Sequence, residues 1–157
     1  MQEKGYFPLF FDMEGKKVVI IGGGAIGTRR AKVLADFNAF ITVISPWVTG
    51  ELKSLIENNP KKINWIQREY EQGDCQKAFL VIAATPKRQV NESVGMEAKE
   101  AGVLVTVADK KEESNVYFPG IARKENIVIG ITASGKNHKE ARKVTDQCKT
   151  MLNHIVE

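Results

Sequence analysis

The sequence is poor in the residues that build metal centres and disulfide scaffolds. Its 157 residues include only two cysteines, Cys75 and Cys148, and two histidines, His138 and His154. Neither pair has the close spacing of a metal-ligand cluster, so we expect no bound metal. Two thiols this far apart are most simply reduced and structural.

Long apolar runs and blocks of like charge are also missing. No run approaches the roughly 20 residues of a membrane span, and the apolar patch at residues 6–11 is too short for a signal peptide. We therefore expect a cytoplasmic protein with no membrane partner. The net charge of +4 is spread along the chain without the basic stripe typical of nucleic-acid binding, so we expect no nucleic-acid partner either.

A glycine motif at residues 22–27 is the most informative feature that is present. Four β-branched residues lead into Gly22-x-Gly24-x-x-Gly27, and an apolar pattern at helical spacing follows. A buried strand, a glycine turn and a helix start in this order hold a dinucleotide pyrophosphate, because the free N–H groups of the helix start favour an anion. The alternative is a tight turn without a ligand. The predicted dinucleotide site includes Gly22, Gly23, Gly24, Ala25, Ile26 and Gly27.

The rest of the chain alternates short apolar runs with glycine, proline and asparagine. We predict strands at residues 18–21, 40–44, 63–67, 79–83 and 103–107, the second of them closed by Ser45-Pro46. The helix after the glycine motif should carry Ile26, Val33, Leu34 and Phe37 on one side and stop near Asn38. Two further helices are predicted at residues 49–57 and along the stripe Val90, Val94, Ala98 and Ala101. This alternation predicts an α/β fold, a Rossmann-like parallel sheet with helices on both faces.

The pattern changes after residue 112. Runs at 116–121 and 127–132, joined by the polar stretch 122–126, predict a β-hairpin. A C-terminal helix should follow, with Asn137 as its N-cap and Glu140 as the capping-box partner. The apolar stripe of this helix consists of Ala141, Val144, Cys148, Met151, Leu152 and Ile155. It buries either against the domain's own core or against a partner helix in a homodimer. We predict a dinucleotide-binding region at 1–112 and an extension for dimerisation and substrate at 113–157, together one compact unit.

Several short segments, in order and over essentially the whole chain, carry a resemblance to a known family. They are the entry at residues 6–11, Gly22-Gly23-Gly24, Ser45-Pro46, Val81-Ile82-Ala83-Ala84-Thr85 with Asn91, Val107-Ala108-Asp109, Asn115-Val116-Tyr117-Phe118-Pro119, and Thr132-Ala133-Ser134-Gly135-Lys136 before Arg142. Together they resemble the precorrin-2 dehydrogenase family, which includes the N-terminal domain of siroheme synthases.

The resemblance implies NAD-dependent oxidation of precorrin-2 to sirohydrochlorin, with NADH as the second product. Asp109 matches the family's proposed acid/base aspartate, and it follows a strand end, where open α/β sheets bind ligands. It could instead only cap the turn into Lys110-Lys111. Further cofactor contacts are expected at Ser45, Pro46, Ala84 and Thr85. Since no Asp or Glu ends the second strand, the preference for NAD over NADP depends on the resemblance.

The implied substrate is a tetrapyrrole fringed with carboxylates, which requires cationic groups around its site. The candidates lie on the hairpin and the last helix: Arg123, Lys124, Lys136, Lys139 and Arg142, with His138 as a hydrogen-bond partner or a plain surface residue. Longer family members continue into a helical region beyond the position of Glu157, so a separate chain could supply it. Two alternatives stay open: a regulatory NAD(H)-binding module without catalysis, and a dehydrogenase that is also a sirohydrochlorin ferrochelatase.

Overall fold

The computed structural model describes residues 5–134 and 136–155, so Gly135 and Glu157 of the segments quoted above lie outside the described residues. The chain forms two compact units, one of them Phe11–Val116 and the other made of the stretch before it and the stretch from Tyr117 onward. The predicted boundary after residue 112 and the prediction of one compact unit stay predictions. In the described part of the chain, no helix is both long and apolar enough to cross a membrane.

The larger unit is built on a five-stranded parallel sheet in the order β3-β2-β1-β4-β5. Its strands are β1 (Lys17–Gly23), β2 (Phe40–Val48), β3 (Ile63–Ile66), β4 (Leu80–Ala83) and β5 (Leu104–Val107). The central strands are buried on both faces, which is why they are nearly continuous runs of valine, isoleucine and leucine. The predicted parallel α/β fold is confirmed.

The helices of this unit are α1 (Ala25–Ala35), α2 (Gly50–Asn58) and α3 (Arg88–Glu100), with a short 3-10 turn at Lys111–Glu113. The prediction for α1 was wrong at Ile26, which is 41% exposed, since the buried face carries Gly27, Thr28, Ala31 and Leu34. Gly27 packs directly on the backbone of β1, and this contact turns the neighbouring Ile26 outward. Asn38 takes a left-handed conformation (φ 62°) after the helix, as its position predicts.

Strand β2 does not end at Ser45-Pro46 as predicted, but continues to Val48. Ile21 pairs with Ile44 and Gly23 pairs with Val48, so three residues of β2 bulge opposite Gly22. A proline lacks the N–H that a regular ladder needs, and a bulge accommodates it. Pro46 therefore does mark a break in the regular hydrogen bonding of β2, but the break is a bulge within the strand rather than its end.

The second unit contains an antiparallel hairpin, β6 (Gly120–Lys124) and β7 (Ile127–Ile131), and the helix α4 (His138–Ile155). The predicted loop 122–126 was wrong, because Ala122 is fully buried within β6 and the turn itself is at Glu125, with a φ of 50°. The cap of α4 is confirmed: the N–H of Glu140 donates to Asn137 Oδ1 at 3.0 Å, and Asn137 Nδ2 donates to Glu140 Oε2 at 3.1 Å.

Helix α4 packs on the hairpin with only part of its apolar stripe. Thr145 and Leu152 are buried, and a Cβ added to Gly120 would lie 2.4 Å from Thr145 Oγ1, so the glycine permits this close packing. By contrast, Val144, Met151 and Ile155 are exposed to solvent. The hairpin therefore does not bury the whole predicted stripe.

Candidate functional site

The turn from β1 into α1 is held together by close backbone contacts. Gly22 has a φ of 113°, and a Cβ on it would lie 2.3 Å from the carbonyl oxygen of Ala84 at the end of β4. A Cβ on Gly27 would lie 2.1 Å from the carbonyl oxygen of Gly22. Side chains at these two positions would collide with backbone, so both glycines are needed for the fold of the turn.

The start of α1 presents unpaired N–H donors. Gly24 is the N-cap, no side chain of the described residues caps the helix, and its first turn carries no acidic residue. The N–H of Thr28 bonds to the carbonyl oxygen of Gly24 at 2.9 Å, so the orphan donors are those of the residues between them. Together with the positive end of the helix dipole, they fit a diphosphate.

A cleft opens beside this helix start at the carboxyl edge of the sheet. It brings together most of the predicted cofactor residues, namely Gly22, Gly23, Gly24, Ser45, Pro46, Ala84 and Thr85. Ala25, Ile26 and Gly27 do not line the cleft but form the first turn of α1 directly beside it. The role of all ten residues in holding NAD stays a prediction.

Asn91 fixes the far wall of the cleft. Its side-chain Oδ1 accepts from the N–H of Thr85 at 2.9 Å and from Thr85 Oγ1 at 2.8 Å, while its Nδ2 donates to the carbonyl oxygen of Thr85 at 2.9 Å. Asn91 is fully buried, so these bonds satisfy an amide that would otherwise be costly to bury. In the sequence, the position of the polar Asn91 within the apolar stripe of α3 indicates a buried side chain that needs hydrogen-bond partners.

Two aromatic residues of the cleft were not predicted from the sequence. Trp47, in the bulge of β2, is 55% exposed, and its Cη2 lies 3.6 Å from the position that a Cβ on Gly24 would occupy. Tyr70 also lines the cleft and donates its hydroxyl to Glu97 on α3. Burial, reinforced by this hydrogen bond, raises the pKa of Tyr70 well above its ordinary value.

The charged residues that line the cleft are Glu69 and Lys87. Lys87 Nζ lies 2.6 Å from Glu69 Oε1, and both side chains are largely exposed. Glu69 follows β3 and Lys87 precedes α3, so the pair joins two loops at the cleft mouth. No charge pattern in the sequence singled out this pair, because its members are 18 positions apart in the chain.

Asp109 lies where it was predicted, two residues after β5 at the carboxyl edge of the same sheet. Its side chain is 37% exposed, and Arg88 Nη1 donates to its Oδ1 at 3.0 Å. Arg88 also bonds to Glu113 through Nη2. The ion pair with Arg88 was not predicted. Asp109 therefore has an ordered partner and a solvent-accessible carboxylate.

The predicted substrate residues lie in the other compact unit. Arg123 and Lys124 are on β6, Lys136 precedes α4, His138 is its first residue, and Arg142 follows one turn later. Arg142 lies in a shallow groove along α4 with Lys139, Lys143 and His154. Their role in substrate binding stays a prediction. Among the described residues, 5–134 and 136–155, no group of three or more His, Cys, Asp or Glu side chains could hold a metal ion.

The family model described as "Putative NAD(P)-binding" matches residues 9–120 of the chain. The "Precorrin-2 dehydrogenase" of Bacillus subtilis is 34% identical over 93% of this chain and 88% of its own length. The "Probable multifunctional siroheme biosynthesis protein HemA" of Ruminiclostridium josui is 44% identical over 92% of this chain. The chain spans only 28% of the length of that relative.

Among solved structures, the chain is similar to "SirC, precorrin-2 dehydrogenase", with a TM-score of 0.78 and 23% identity over 93% of this chain and 71% of that one. At this identity the likeness establishes the fold. The family model and the Bacillus subtilis relative confirm the family predicted from the sequence, and this solved structure confirms the predicted fold. The chain belongs to the precorrin-2 dehydrogenase and siroheme synthase N-terminal NAD(P)-binding domain family.

Proposed function

We propose that this chain catalyses the NAD-dependent oxidation of precorrin-2 to sirohydrochlorin in siroheme biosynthesis. One observation carries the proposal: a single sheet edge presents both an uncapped helix start, suited to a diphosphate, and the carboxylate of Asp109. The 34% identity to the Bacillus subtilis precorrin-2 dehydrogenase, over nearly its whole length, supports it.

The reaction removes a hydride and a proton from the macrocycle. NAD, when bound, supplies the hydride acceptor. In this proposal the N–H groups at the start of α1 would hold the cofactor's diphosphate, and the carboxylate of Asp109, at the same edge of the sheet, would take the proton. A positioned base of this kind contributes roughly 10²- to 10⁴-fold in rate.

The carboxylates of the substrate are proposed to bind the cations of the hairpin and α4: Arg123, Lys124, Lys136 and Arg142, with His138 beside them. The groove along α4 supports this assignment, since its lining contains Lys139, Arg142 and Lys143 against one carboxylate, that of Asp146. Charge-assisted hydrogen bonds from Arg and Lys are the strong way to hold a carboxylate.

The experiment that tests the proposal is anaerobic incubation of the purified chain with precorrin-2 and NAD. We expect NADH and sirohydrochlorin to form together. Binding of NAD without turnover would favour a regulatory module, and siroheme formation on addition of ferrous iron would add ferrochelatase activity.

We propose NAD rather than NADP as the cofactor, with Glu69 as the discriminating residue. No acidic residue ends β2, but the Glu69 carboxylate lines the same cleft, and its ion pair neutralises Lys87, the cation best placed to attract a phosphate. An NADP 2′-phosphate would meet the negative charge of Glu69, whereas a ribose hydroxyl could donate to it.

Replacing Glu69 by Gln should therefore lower the preference for NAD over NADP by roughly tenfold, because about 1.4 kcal/mol of discrimination is lost. The measurement is kcat/KM with each cofactor. The exposed Glu57→Gln on α2 is the control and should leave the ratio unchanged. An unaltered ratio in Glu69→Gln would remove Glu69 from cofactor selection.

We also propose that the chain is a homodimer through α4. Val144, Met151 and Ile155 recur at spacings of seven and four, lie on one side of α4 and are exposed in the single chain.

Met151→Glu should shift the dimer towards monomer in sedimentation equilibrium, because a charge would be buried in the interface. Asn153→Glu adds the same charge to an exposed position on the opposite side of α4, and it should leave the dimer mass unchanged. A Met151→Glu protein that stays dimeric would exclude this face.

A further inference from the structure

We infer that Arg88 is a positioning residue for the reaction: held by Glu113, its guanidinium fixes the Asp109 carboxylate in the orientation in which it takes the proton. The inference depends on the proposed role of Asp109. It concerns a residue that the sequence did not single out and that acts through Asp109 rather than on the substrate.

The geometry joins three elements at the carboxyl edge of the sheet. Arg88 is the first residue of α3, Asp109 follows β5, and Glu113 ends the 3-10 turn. Arg88 Nη1 donates to Asp109 Oδ1 at 3.0 Å, and Nη2 of the same guanidinium donates to Glu113 Oε1. A planar guanidinium bound at two of its nitrogens has one orientation, and a lysine ammonium could not reproduce it.

Glu113 anchors this arrangement. Its side chain is only 20% exposed, Oε2 is buried, and Lys110 Nζ lies 3.2 Å from Oε1. The hydrogen bond from Arg88, assisted by Lys110, holds the pKa of Glu113 below its ordinary value. Glu113 therefore stays ionised, and Arg88 is tied to a fixed, half-buried anion rather than to a mobile surface charge.

Asp109 needs such a partner because of where it lies. It is exposed on the connection between β5 and the 3-10 turn, and its described contacts use only Oδ1. With Oδ1 held by Arg88, Oδ2 is left to accept the proton. Without Arg88 the side chain could change its χ1 rotamer and the carboxylate could turn about χ2, and a misplaced base loses rate while cofactor binding is untouched.

The test replaces Arg88 by Gln and by Lys and measures kcat and KM for both substrates. We expect kcat to fall about 10- to 100-fold in Arg88→Gln, with KM for NAD and for precorrin-2 unchanged. Arg88→Lys keeps the positive charge but lacks the two donor groups of the guanidinium, so its kcat should lie between those of the wild-type chain and Arg88→Gln. Millimolar guanidinium should restore part of the kcat of Arg88→Gln and none of Arg88→Lys. Lys99→Gln, at the other end of α3, is the control.

The outcomes separate this inference from the proposed function. Equal activity of the wild-type chain and both variants overturns the role of Arg88 while leaving the dehydrogenase intact. A rise in KM for precorrin-2 at constant kcat also overturns it, because Arg88 would then bind the substrate itself. Arg88→Gln could unfold because it removes the charge beside Glu113. In that case Arg88→Lys tests the inference, and a folded Arg88→Lys protein with wild-type kcat refutes it. A wild-type chain that does not oxidise precorrin-2 refutes the proposed function, and the inference about Arg88 fails with it.

Discussion

Asp109→Asn should lose most of its turnover while it binds NAD as tightly as the wild-type chain. An amide of the same shape can still accept from Arg88, so the ion pair becomes a hydrogen bond and the local fold survives. What the amide cannot do is take a proton from the macrocycle, and the loss of a positioned base costs roughly 10²- to 10⁴-fold in rate.

The measurement compares kcat of the two proteins and their NAD affinity by calorimetry. Glu112→Gln, the same carboxylate-to-amide change on an exposed residue of the neighbouring 3-10 turn, is the matched control and should keep wild-type turnover. Turnover of Asp109→Asn within a factor of two or so of the wild type would remove this carboxylate from the mechanism.

Gly24→Ala should fold normally and lose NAD binding. The backbone of Gly24 has a φ of −76°, which any residue adopts, and an added Cβ would make only an ordinary contact of 3.6 Å with Trp47. The methyl group would, however, stand at the uncapped start of α1, where the diphosphate approaches the backbone. We expect affinity to fall roughly tenfold or more, about 1.4 kcal/mol for each factor of ten.

Substitution of Gly24 tests cofactor binding without disturbing the fold. Gly22 and Gly27 cannot be used in this way, because a side chain at either position would collide with backbone. Gly50→Ala at the start of α2, where an added Cβ meets nothing within 4 Å, is the matched control. Both variants should keep the wild-type melting temperature, and only Gly24→Ala should bind NAD weakly. Unchanged NAD affinity in a folded Gly24→Ala protein would place the diphosphate elsewhere.

The sheet and the position of Asp109 could be predicted because local signals determine them. Valine and isoleucine runs mark buried parallel strands, and the glycine spacing marks a turn whose close contacts only glycine allows. Asp109 comes directly after such a strand, and parallel strands bring their carboxyl ends to one edge. The exposed Ile26 and the bulge at Pro46 were missed, because they depend on how neighbouring elements pack.

The partners of Asp109 could not be predicted because they come from distant parts of the chain. Arg88 and Asp109 are 21 positions apart, and Arg88 and Glu113 are 25 apart. In the sequence each is one of many charged residues, and only the packing of α3 against β5 brings them together. The same holds for Glu69 and Lys87, which meet across the cleft. The buried bonds of Asn91 are nearer in sequence, but they depend on the conformation of the loop after β4.

One measurement tests the central claim most directly: anaerobic incubation of the purified chain with precorrin-2, with NAD, with NADP and without cofactor. The account predicts one NADH formed for each sirohydrochlorin, with no product in the absence of the chain or of cofactor, and a lower rate with NADP. Clear NAD binding without any oxidation of precorrin-2 would contradict it and leave a cofactor-binding module with no chemistry of its own.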